Sequence, residues 1–415
     1  MVPVVDVLMN HSSAGEIKVA TCRFNLRRGQ ITCAFSYEDA YLALPDAYAV
    51  DPALPLNSAT YHCDGVPGAL RDSAPDRWGR HLIDRQVSYA AEAHGGVRCL
   101  DEVDYLLGVH DQARQGALRY ALPGENAYES REGEVPPVVQ LKRLLRAANE
   151  IAVGNDGKSQ VKELLDAGSG SLGGARPKAS VVDEGKIFLA KFSHPGDQWD
   201  VMAWEKVSLD IAAAAGVEVP ESRLVKVGDQ RVLLLSRFDR QASLLEGDRF
   251  PYLSGMSLVG ARDGESCDYC DVAEALADWA DEPANQLGEL FRRVVLTIAL
   301  NNTDDHLRNL GLLRRGNVWS LSPAFDVNIN PDMGRSHVTS VYGEAGAGAA
   351  GALRDFADVC GLSSVAARDV VRQVLGATKA CATTAQRTGC KQSEIDLLAA
   401  AVQKRTQEIA TQFEI

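Results

Sequence analysis

The chain has 415 residues, which is enough to bury a large core and to form two or three subdomains. Its hydrophobic fraction (46%) and charged fraction (24%) are typical of a globular protein, and no apolar run reaches the length of a membrane span. The formal net charge of −13 argues against a broad surface that binds nucleic acid directly. It leaves open a local basic groove, or an indirect contact with DNA through a partner protein.

The cysteine pattern and the N-terminal residues indicate the cellular compartment in which the protein is expected. An odd number of scattered cysteines (nine) favours reduced thiols over a disulfide framework. Cys267 and Cys270 form the Cys-x-x-Cys pair "CDYC"; a metal or redox role is the alternative, and two incidental thiols are the preferred interpretation. The start "MVPVVDVLMNHSSAGEI" lacks the basic and apolar regions of a signal peptide, so a cytoplasmic location is expected.

The first third of the chain predicts a β-rich part followed by helices. The turn "RRGQ", between two alternating runs within residues 1–60, predicts a β-hairpin. Residues 72–95 predict a helix with Pro75 near its start. The polar segment 115–135 is expected to connect subdomains, and the prolines of "PPVVQLKRLLRAANEI" (136–151) predict the start of another helix.

The remainder predicts a mixed middle part and a mostly helical C-terminal part. Residues 168–192 predict a Gly/Ser loop, a strand, a turn at "DEG" and a second strand; a helix (200–220) and a buried strand (230–240) follow. A hairpin is predicted around "RRGN" within 309–327. The low-complexity segment "GEAGAGAAGA" (343–352) is predicted to be a mobile loop.

A run of polar residues, "NNTDDHLRN" (301–309), follows the apolar end of a predicted helix. Asp304 and Asn309 are separated by the interval that protein-kinase catalytic loops use to place a base near the substrate hydroxyl and an amide oxygen on magnesium. Asp326 follows the predicted hairpin, where a second magnesium carboxylate is expected, because hard cations take oxygen ligands. The interval alone is weak evidence, since Asp and Asn also cap helices and fill turns.

Residues upstream of this run could supply further parts of a phosphoryl-transfer site. These parts occur along the chain in the same order as in protein kinases. "SGSLGGARPK" is a Gly-rich loop whose backbone N–H groups could approach phosphates, and its Arg176 and Lys178 favour an anion; the alternative is a flexible linker. Lys191 lies on a strand, either as a phosphate-binding lysine or as an edge-strand lysine. Glu205, on the next helix, could orient Lys191 or face solvent. The strand "VLLLSRF" could contact adenine, with Phe238 against the base, or be only a core strand.

These segments together resemble the HipA family of bacterial serine/threonine kinases, the toxins of HipA–HipB toxin–antitoxin modules. The resemblance is carried by "SLGGARPKA", "FLAKF", "AWE", "LLLSRFDR", "YLSGMSLVGARDG", "NNTDDHLRNLGLL" and "LSPAFDV". The segment "PGALRDSAPDRWGRHLIDR" is similar to the Pro-Asp-x-Trp-Gly-Arg signature of the same family. The resemblance implies an α+β, protein-kinase-like HipA fold. In it, residues 1–110 form a β-rich N-terminal subdomain, 111–240 the nucleotide-binding α/β part, and 241–415 a mostly helical C-terminal lobe.

The resemblance also implies roles for individual residues. Asp304 matches the catalytic Asp, because the family pattern is Asp-x-His-x-x-Asn, and His306 resembles the structural histidine of that loop. Asn309 and Asp326 resemble the magnesium ligands, and Lys191, with Glu205 as its orienting partner, resembles the ATP-phosphate lysine.

The nucleotide-binding residues implied by the resemblance lie in the Gly-rich loop and the hinge. They are Ser171, Gly173, Gly174, Ala175, Arg176, Lys178, Lys191, Arg237 and Phe238. Ser171 matches a loop serine whose autophosphorylation inactivates the kinase, with Ser169 as the alternative position. Such a switch is physically reasonable, because a dianion beside the bound phosphates would be repelled by them.

The implied function is an ATP- and Mg²⁺-dependent protein serine/threonine kinase that phosphorylates a translation component such as an aminoacyl-tRNA synthetase. The expected partner is a HipB-like helix-turn-helix antitoxin, with DNA contacted only indirectly through it and no membrane involved. Two alternatives stay open: a co-repressor partner of a DNA-binding antitoxin with little catalysis, and a small-molecule kinase with a similar Asp-x-His-x-x-Asn loop.

Overall fold

The computed structural model describes residues 3–11, 15–27, 30–94, 99–124, 134–155, 157–169, 176–245 and 247–415. The chain forms two compact units. The first consists of Met1–Gly196 and Val227–Leu253, and the second of Asp197–Lys226 and Ser254–Ile415. Both units contain helices and strands, which confirms the predicted α+β class.

An antiparallel sheet begins the first unit. Its strands are β1 (Val4–His11), β2 (Gly15–Arg27), β3 (Gln30–Tyr37), β4 (Thr60–Asp64) and β5 (Arg119–Ala121). They lie in the order β4-β3-β2-β1-β5. Val5, Val7 and Met9 are buried along β1, because alternate residues of a strand point to the same face. The predicted hairpin is confirmed by the pairing of Arg27 with Gln30.

Short and medium helices accompany this sheet. They are α1 (Asp39–Leu42), α2 (Gly68–Arg71), α3 (Arg77–His94), α4 (Glu102–Leu107), α5 (Leu141–Ala152) and α6 (Lys158–Asp166). The predicted helix over 72–95 is confirmed as α3, whose first turn is closed by the Gly79 N–H donating to the Asp76 carboxylate. The helix predicted from residue 136 is α5, which starts only after a 3₁₀ turn at Val138–Gln140.

A second sheet of the first unit carries the predicted nucleotide-binding lysine. Strand β6 (Lys178–Asp183) and strand β7 (Lys186–Phe192) are joined by a turn in which Glu184 and Gly185 both have positive φ. The chain returns from the second unit along β8 (Ser222–Val227) and continues into β9 (Gln230–Ser236). Strand β7 pairs antiparallel with β6 and with β9, so the predicted strand–turn–strand and the buried strand are confirmed.

The second unit is mostly helical. Its helices are α7 (Val201–Ala214), α8 (Gly255–Leu258), α9 (Tyr269–Trp279), α10 (Pro283–Ala299), α11 (Ala349–Val359), α12 (Ser364–Thr378), α13 (Cys381–Thr388) and α14 (Gln392–Phe413). Helix α10 packs against α9, α12 and α14, and α7 packs against α12 and α13. The buried Trp204 indole of α7 donates to Glu394 of α14 at 3.0 Å. Across the described ranges, no helix is long and apolar enough to cross a bilayer.

Short strands complete the second unit. Strand β10 (Tyr252–Ser254) leads into it, and the others are β11 (Cys267–Asp268), β12 (Gly311–Arg315), β13 (Val318–Leu321) and β14 (Thr339–Ser340). The hairpin predicted around "RRGN" is confirmed as β12–β13, with Arg315 paired to Val318. Strands β11 and β14 pair in parallel.

One prediction about organisation differs from the structure. The segment 343–352 is not a loop throughout, because α11 begins at Ala349 within it and Ala349, Ala350 and Ala352 are buried. Alanine has the highest helix propensity, so this run continues as helix once a buried face is available. The three predicted domain ranges stay predictions; the two compact units divide the chain in another way, with α7 and most of β8 in the second unit.

A buried ion network in the first unit centres on Asp111. Its carboxylate accepts hydrogen bonds from Arg119 at 2.5–3.1 Å and from Arg249 at 3.0 Å. Burial alone would raise the pKa of Asp111, but the hydrogen bonds from Arg119 and the charges of Arg249 and Arg119 outweigh it and lower the pKa to about 2.

This network gives an expected acid dependence of stability. A carboxylate with a depressed folded-state pKa contributes stability above its ordinary value of 3.8, and that contribution is lost as the pH falls toward 2. The variant Asp111→Asn should therefore show a shallower decrease in the free energy of unfolding between those two values, measured by urea denaturation across a pH series. The matched control Asp229→Asn changes an exposed turn carboxylate and should keep the wild-type slope. An unchanged slope in Asp111→Asn would contradict the prediction.

Candidate active site

The predicted catalytic loop follows the end of α10 in the second unit. The side chain of Asp304 is 70% exposed, and its nearest charged partner is Arg335 at 3.6 Å. The backbone carbonyl of Asp304 accepts the His306 N–H at 2.9 Å, and the His306 carbonyl accepts the Asn309 N–H at 2.8 Å. These turns project the Asp304 carboxylate outward, where an acceptor hydroxyl could reach it.

The residues just before Asp304 fix this loop from inside. Asn301 is buried with a positive φ of 50°, and its amide donates to the carbonyls of Asn330 (2.6 Å) and Asp332 (3.1 Å). The Asn330 amide donates in turn to the Thr303 hydroxyl at 2.6 Å. The polar crowding of "NNTDDHLRN" is thus explained, because its first residues bind the segment that follows Asp326 to the start of the loop.

Two further connections support the loop. Arg405 of α14 donates to the Asn301 amide oxygen at 2.9 Å. On the other side, the N–H of Gly255 donates to the carbonyl of Leu310 at 2.8 Å. A Cβ at Gly255 would lie 3.0 Å from the Leu310 side chain and 3.2 Å from the Leu307 carbonyl oxygen, so a larger residue would require these neighbours to shift. The side chain of Arg308 is held by Asp263 at 2.7 and 2.8 Å.

His306 lies within the turns of the loop, and the structural role of its side chain stays a prediction. Its ring is half-buried, and its Nδ1 is buried without a hydrogen-bond partner among the described residues. Its backbone N–H and carbonyl both take part in the turns of the loop. We therefore assign the backbone of His306 to loop geometry.

Asn309 and Asp326 supply the donor types that magnesium requires. The Asn309 amide nitrogen donates to the Asp304 carbonyl at 3.4 Å, so its amide oxygen is the atom suited to a cation. Asp326 is half-buried and has a left-handed backbone (φ 58°), a conformation that non-glycine residues adopt rarely and often at functional sites. The charge of Asp326 contributes to raising the pKa of Asp305, which indicates that Asp326 lies near the loop.

This donor set fits Mg²⁺ rather than an all-protein metal cage. Among the described residues, no group of three or more His, Cys, Asp or Glu side chains is arranged to hold a metal ion. Magnesium in phosphoryl-transfer sites is usually held by one or two protein oxygens, with waters and substrate phosphates completing the octahedron. Asn309 and Asp326 could provide the protein oxygens of such a coordination shell.

In the first unit, Lys191 lies on β7, between β6 and β9, and is 6% exposed. It is therefore not the edge-strand lysine of the alternative interpretation. Ser171, Gly173, Gly174 and Ala175 lie outside the described residues. Arg176, directly after them, is half-buried. Their predicted nucleotide contacts stay predictions.

Lys178 has a protein partner in the structure. Its ammonium forms a buried salt bridge with Asp76, which belongs to the "PDRWGR" segment, and both side chains are less than a tenth exposed. The pairing stabilises two charges that would each be unfavourable if buried alone. We therefore assign Lys178 to this ion pair, and its predicted nucleotide contact stays a prediction. Ser169 is also buried, and its hydroxyl donates to the Lys178 carbonyl.

Arg237 is also used internally. Its guanidinium donates to Asp239 at 2.6 and 2.7 Å, to the Ala113 carbonyl at 2.8 Å and to the Arg114 carbonyl at 3.2 Å. These contacts are those of a structural arginine, and the predicted nucleotide contact of Arg237 stays a prediction. Phe238, the next residue, is half-buried, and its place against adenine stays a prediction.

The structure also shows the environment of Glu205. Glu205 is buried on α7, in the second unit, so it is not the solvent-facing helix residue of the alternative interpretation. Lys191 belongs to the first unit, and the predicted pairing of Glu205 with Lys191 stays a prediction.

The thiols of Cys267 and Cys270 are free, and burial raises the pKa of both, that of Cys270 to about 12. The preferred interpretation of two incidental thiols stays a prediction.

Comparison with known families identifies the chain. The HipA N-terminal domain family matches residues 5–106, and the HipA-like C-terminal domain family matches residues 170–386. The second match alone covers more than half of the chain. The chain belongs to the HipA family. The predicted family assignment is therefore confirmed.

Three individual proteins are similar to this chain to different extents. A chain from the complex of HipA, HipB and operator DNA of Shewanella oneidensis MR-1 superposes with a TM-score of 0.70 at 15% identity, covering 99% of this chain and 98% of its own. The Helicobacter pylori proinflammatory kinase CtkA gives a TM-score of 0.46 at 15% identity, over 59% of this chain and 94% of its own. A candidate kinase of Haemophilus influenzae is 26% identical over 140 residues, which span 31% of this chain and 41% of that relative.

Proposed function

We propose that this HipA-family chain is an ATP- and Mg²⁺-dependent protein serine/threonine kinase, the toxin of a HipA-type toxin–antitoxin module. One observation carries the proposal: an exposed Asp304 lies on a rigidly held loop, five residues before Asn309, and the segment after Asp326 is hydrogen-bonded to the start of that loop. This is the arrangement expected of a base and two cation ligands in phosphoryl transfer.

The residues of the loop have distinct tasks in this reaction. Asp304 accepts the hydrogen bond of the acceptor hydroxyl, orients it toward the γ-phosphate and takes its proton as the new P–O bond forms, while the bond between the γ-phosphorus and the β–γ bridging oxygen breaks and ADP leaves. Asn309 and Asp326 would hold Mg²⁺, which would neutralise charge on the triphosphate. Lys191 contributes a positive charge to the α- and β-phosphates. Asn301 and Thr303 keep the Asp304 loop and the Asp326 segment in a fixed relation.

The proposal includes a substrate class and a partner. We place the acceptor on a protein of the translation apparatus, such as an aminoacyl-tRNA synthetase, and the partner among HipB-like helix-turn-helix antitoxins. The fold shared with the HipA–HipB–operator DNA complex supports such a partner, and the net charge of −13 supports a contact with DNA through it rather than directly. A cytoplasmic location belongs to the same proposal.

Autophosphorylation is proposed at Ser171. The alternative Ser169 is buried with its hydroxyl already donating to the Lys178 carbonyl, so it could not reach a γ-phosphate without unfolding that contact. Ser171 therefore remains the better candidate.

The proposed function is tested by incubating the purified chain with Mg²⁺ and γ-³²P-ATP. We expect acid-stable label on serine of the chain itself, loss of most of it in Ser171→Ala, and no label when EDTA removes Mg²⁺. Ser159→Ala, which removes an exposed serine outside the loop, is the matched control and should keep the label. Cell extract added to the same reaction identifies the acceptor class.

The other outcomes identify the alternatives. Label in metabolites but in no protein would indicate a small-molecule kinase. Absence of label, with retained binding to a helix-turn-helix partner, would indicate a co-repressor and overturn the kinase proposal.

A further inference from the structure

Asp304 and Asp305 are adjacent in sequence but have opposite environments. The Asp304 carboxylate is exposed, whereas Asp305 is half-buried and its Oδ2 accepts the hydroxyl hydrogens of Tyr269 and, at 2.8 Å, of Thr297. The hydroxyl of Thr339 donates to the backbone carbonyl of Asp305 at 2.7 Å. Tyr269, Thr297 and Thr339, together with Asp305, are called the Asp305 cluster below. The cluster holds both the side chain and the backbone of the residue that follows Asp304.

The three hydroxyl donors come from separate elements that are themselves connected. Tyr269 is the first residue of α9, Thr297 lies near the end of α10, and Thr339 lies on β14. Strands β11 and β14 pair in parallel. Asp268 strengthens this pairing by accepting hydrogen bonds from the Ser340 hydroxyl at 2.5 Å and from the Gly343 N–H at 2.7 Å. Tyr269 and Thr339 are therefore also held through contacts between their own elements.

The same geometry explains the "CDYC" segment. Its two cysteines are free thiols, while the two residues between them, Asp268 and Tyr269, make the contacts described above. The chemistry of this motif therefore lies in its carboxylate and its phenol, which connect α9 to the Asp305 cluster.

The electrostatics of the cluster favour a fixed hydrogen-bond acceptor. Burial raises the pKa of Asp305, and the hydrogen bonds from Tyr269 and Thr297 oppose that shift. Burial and the charge of Asp305 raise the pKa of Tyr269 well above its usual value, so its hydroxyl keeps its proton and remains a donor.

We propose that Asp305 is a positioning residue for phosphoryl transfer: its anchorage by Tyr269, Thr297 and Thr339 fixes the backbone of the loop so that the Asp304 carboxylate meets the acceptor hydroxyl. This inference rests on the proposed kinase function. It assigns a role to a residue that the Asp-x-His-x-x-Asn pattern leaves unspecified. Small displacements of a catalytic group reduce rates strongly, because the reacting atoms must be aligned within a few tenths of an ångström.

The test compares Asp305→Ala with Asp305→Asn, measuring kcat and the KM for ATP in the Mg²⁺ assay. We expect Asp305→Ala to lower kcat by about 10- to 100-fold, with an unchanged KM for ATP, since the loop moves while nucleotide contacts stay. Asp305→Asn keeps an oxygen acceptor of the same shape and should retain activity within about threefold. Tyr269→Phe, which removes one donor only, should lower kcat by an intermediate factor and carries the test if Asp305→Ala does not fold.

The matched control is Tyr105→Phe. Tyr105 donates its hydroxyl to the Asp84 carboxylate at 2.5 Å in the first unit, so this variant removes the same kind of hydrogen bond away from the loop. We expect wild-type kcat and KM. Amide hydrogen exchange of residues 303–309 should increase in Asp305→Ala and Tyr269→Phe but not in Tyr105→Phe.

The outcomes separate this inference from the proposed function. Phosphoryl transfer by the wild type combined with a wild-type kcat in Asp305→Ala would overturn the positioning role alone. Equal loss of activity in Asp305→Asn and Asp305→Ala would also overturn it, because the charge of Asp305 would then act directly in the chemistry. Absence of transfer by the wild type would overturn the kinase proposal, and the positioning role with it.

Discussion

Replacing Asp304 with alanine should reduce γ-phosphate transfer by about 10²- to 10⁴-fold while leaving the fold intact. The loss has that size because a positioned general base contributes such a factor to the rate. The fold should survive because the side chain is 70% exposed and its ion pair with Arg335 spans 3.6 Å, so its removal changes the free energy of unfolding by no more than about 0.5 kcal/mol. Single-turnover transfer from Mg²⁺ and γ-³²P-ATP and the urea midpoint measure the two quantities.

The control for this experiment lies in the same unit. Asp369 on α12 is 63% exposed and pairs with an arginine, Arg372, at 2.8 Å, so Asp369→Ala removes a comparable surface carboxylate without touching the loop. It should transfer phosphate at the wild-type rate. A wild-type rate in Asp304→Ala would remove Asp304 from the mechanism, and with it the main argument for kinase chemistry.

Replacing Asp239 with alanine should have the largest effect on stability. Asp239 is 1% exposed and accepts hydrogen bonds from Arg237 (2.6 and 2.7 Å), Arg240 (2.8 Å) and the Gly116 N–H (2.8 Å). Burial by itself would raise the pKa of Asp239, but the two arginines outweigh it and hold the pKa far below its ordinary value. Removing the carboxylate leaves Arg237 and Arg240 buried without their counter-ion, which costs about 3–5 kcal/mol of unfolding free energy.

Urea denaturation followed by far-UV circular dichroism measures this loss. Asp239→Asn keeps part of the hydrogen bonding but not the charge, so its destabilisation should lie between those of the wild type and Asp239→Ala. The exposed turn residue Asp229 supplies the control, since Asp229→Ala should change the midpoint very little. A midpoint for Asp239→Ala equal to that of the control would show that the arginines find other partners.

The fold was predictable from the sequence wherever a local pattern decides the element. The hairpin of β2 and β3, the strands on either side of Glu184 and Gly185, and the β12–β13 hairpin all follow from alternating residues around a turn. The segment 343–352 was mispredicted because small residues are compatible with both loop and helix. Burial of its alanines against the second unit selects the helix.

The candidate site was only partly predictable, because some of its residues are defined by local spacing and others by partners distant in sequence. The Asp304–Asn309 interval is a local feature of the sequence, so both residues could be selected from it. Lys178 was assigned to the nucleotide because a cation inside a Gly-rich loop suggests an anion, and Arg237 because the family resemblance places it in the hinge. In the structure, both have protein partners distant in sequence. Asp76 lies 102 residues from Lys178, and Ala113 lies 124 residues from Arg237.

Asp305 was missed for a related reason. The sequence could not distinguish a surface carboxylate from one that accepts two buried hydroxyls, because the donors lie on α9 and α10. The useful signal was the run "NNTDDHLRN" itself, since eight polar residues among nine are more than a turn requires.

The salt bridge between Asp76 and Lys178 bears on the modularity of the HipA architecture. Asp76 lies in the part matched by the N-terminal domain family, and Lys178 near the start of the part matched by the C-terminal one, so the boundary between the two divides a buried ion pair. A fragment limited to residues 170–386 would lack Asp76 and would leave the Lys178 ammonium without this partner. If such a gene were split between the two parts, the two proteins would therefore have to bind each other to restore this salt bridge.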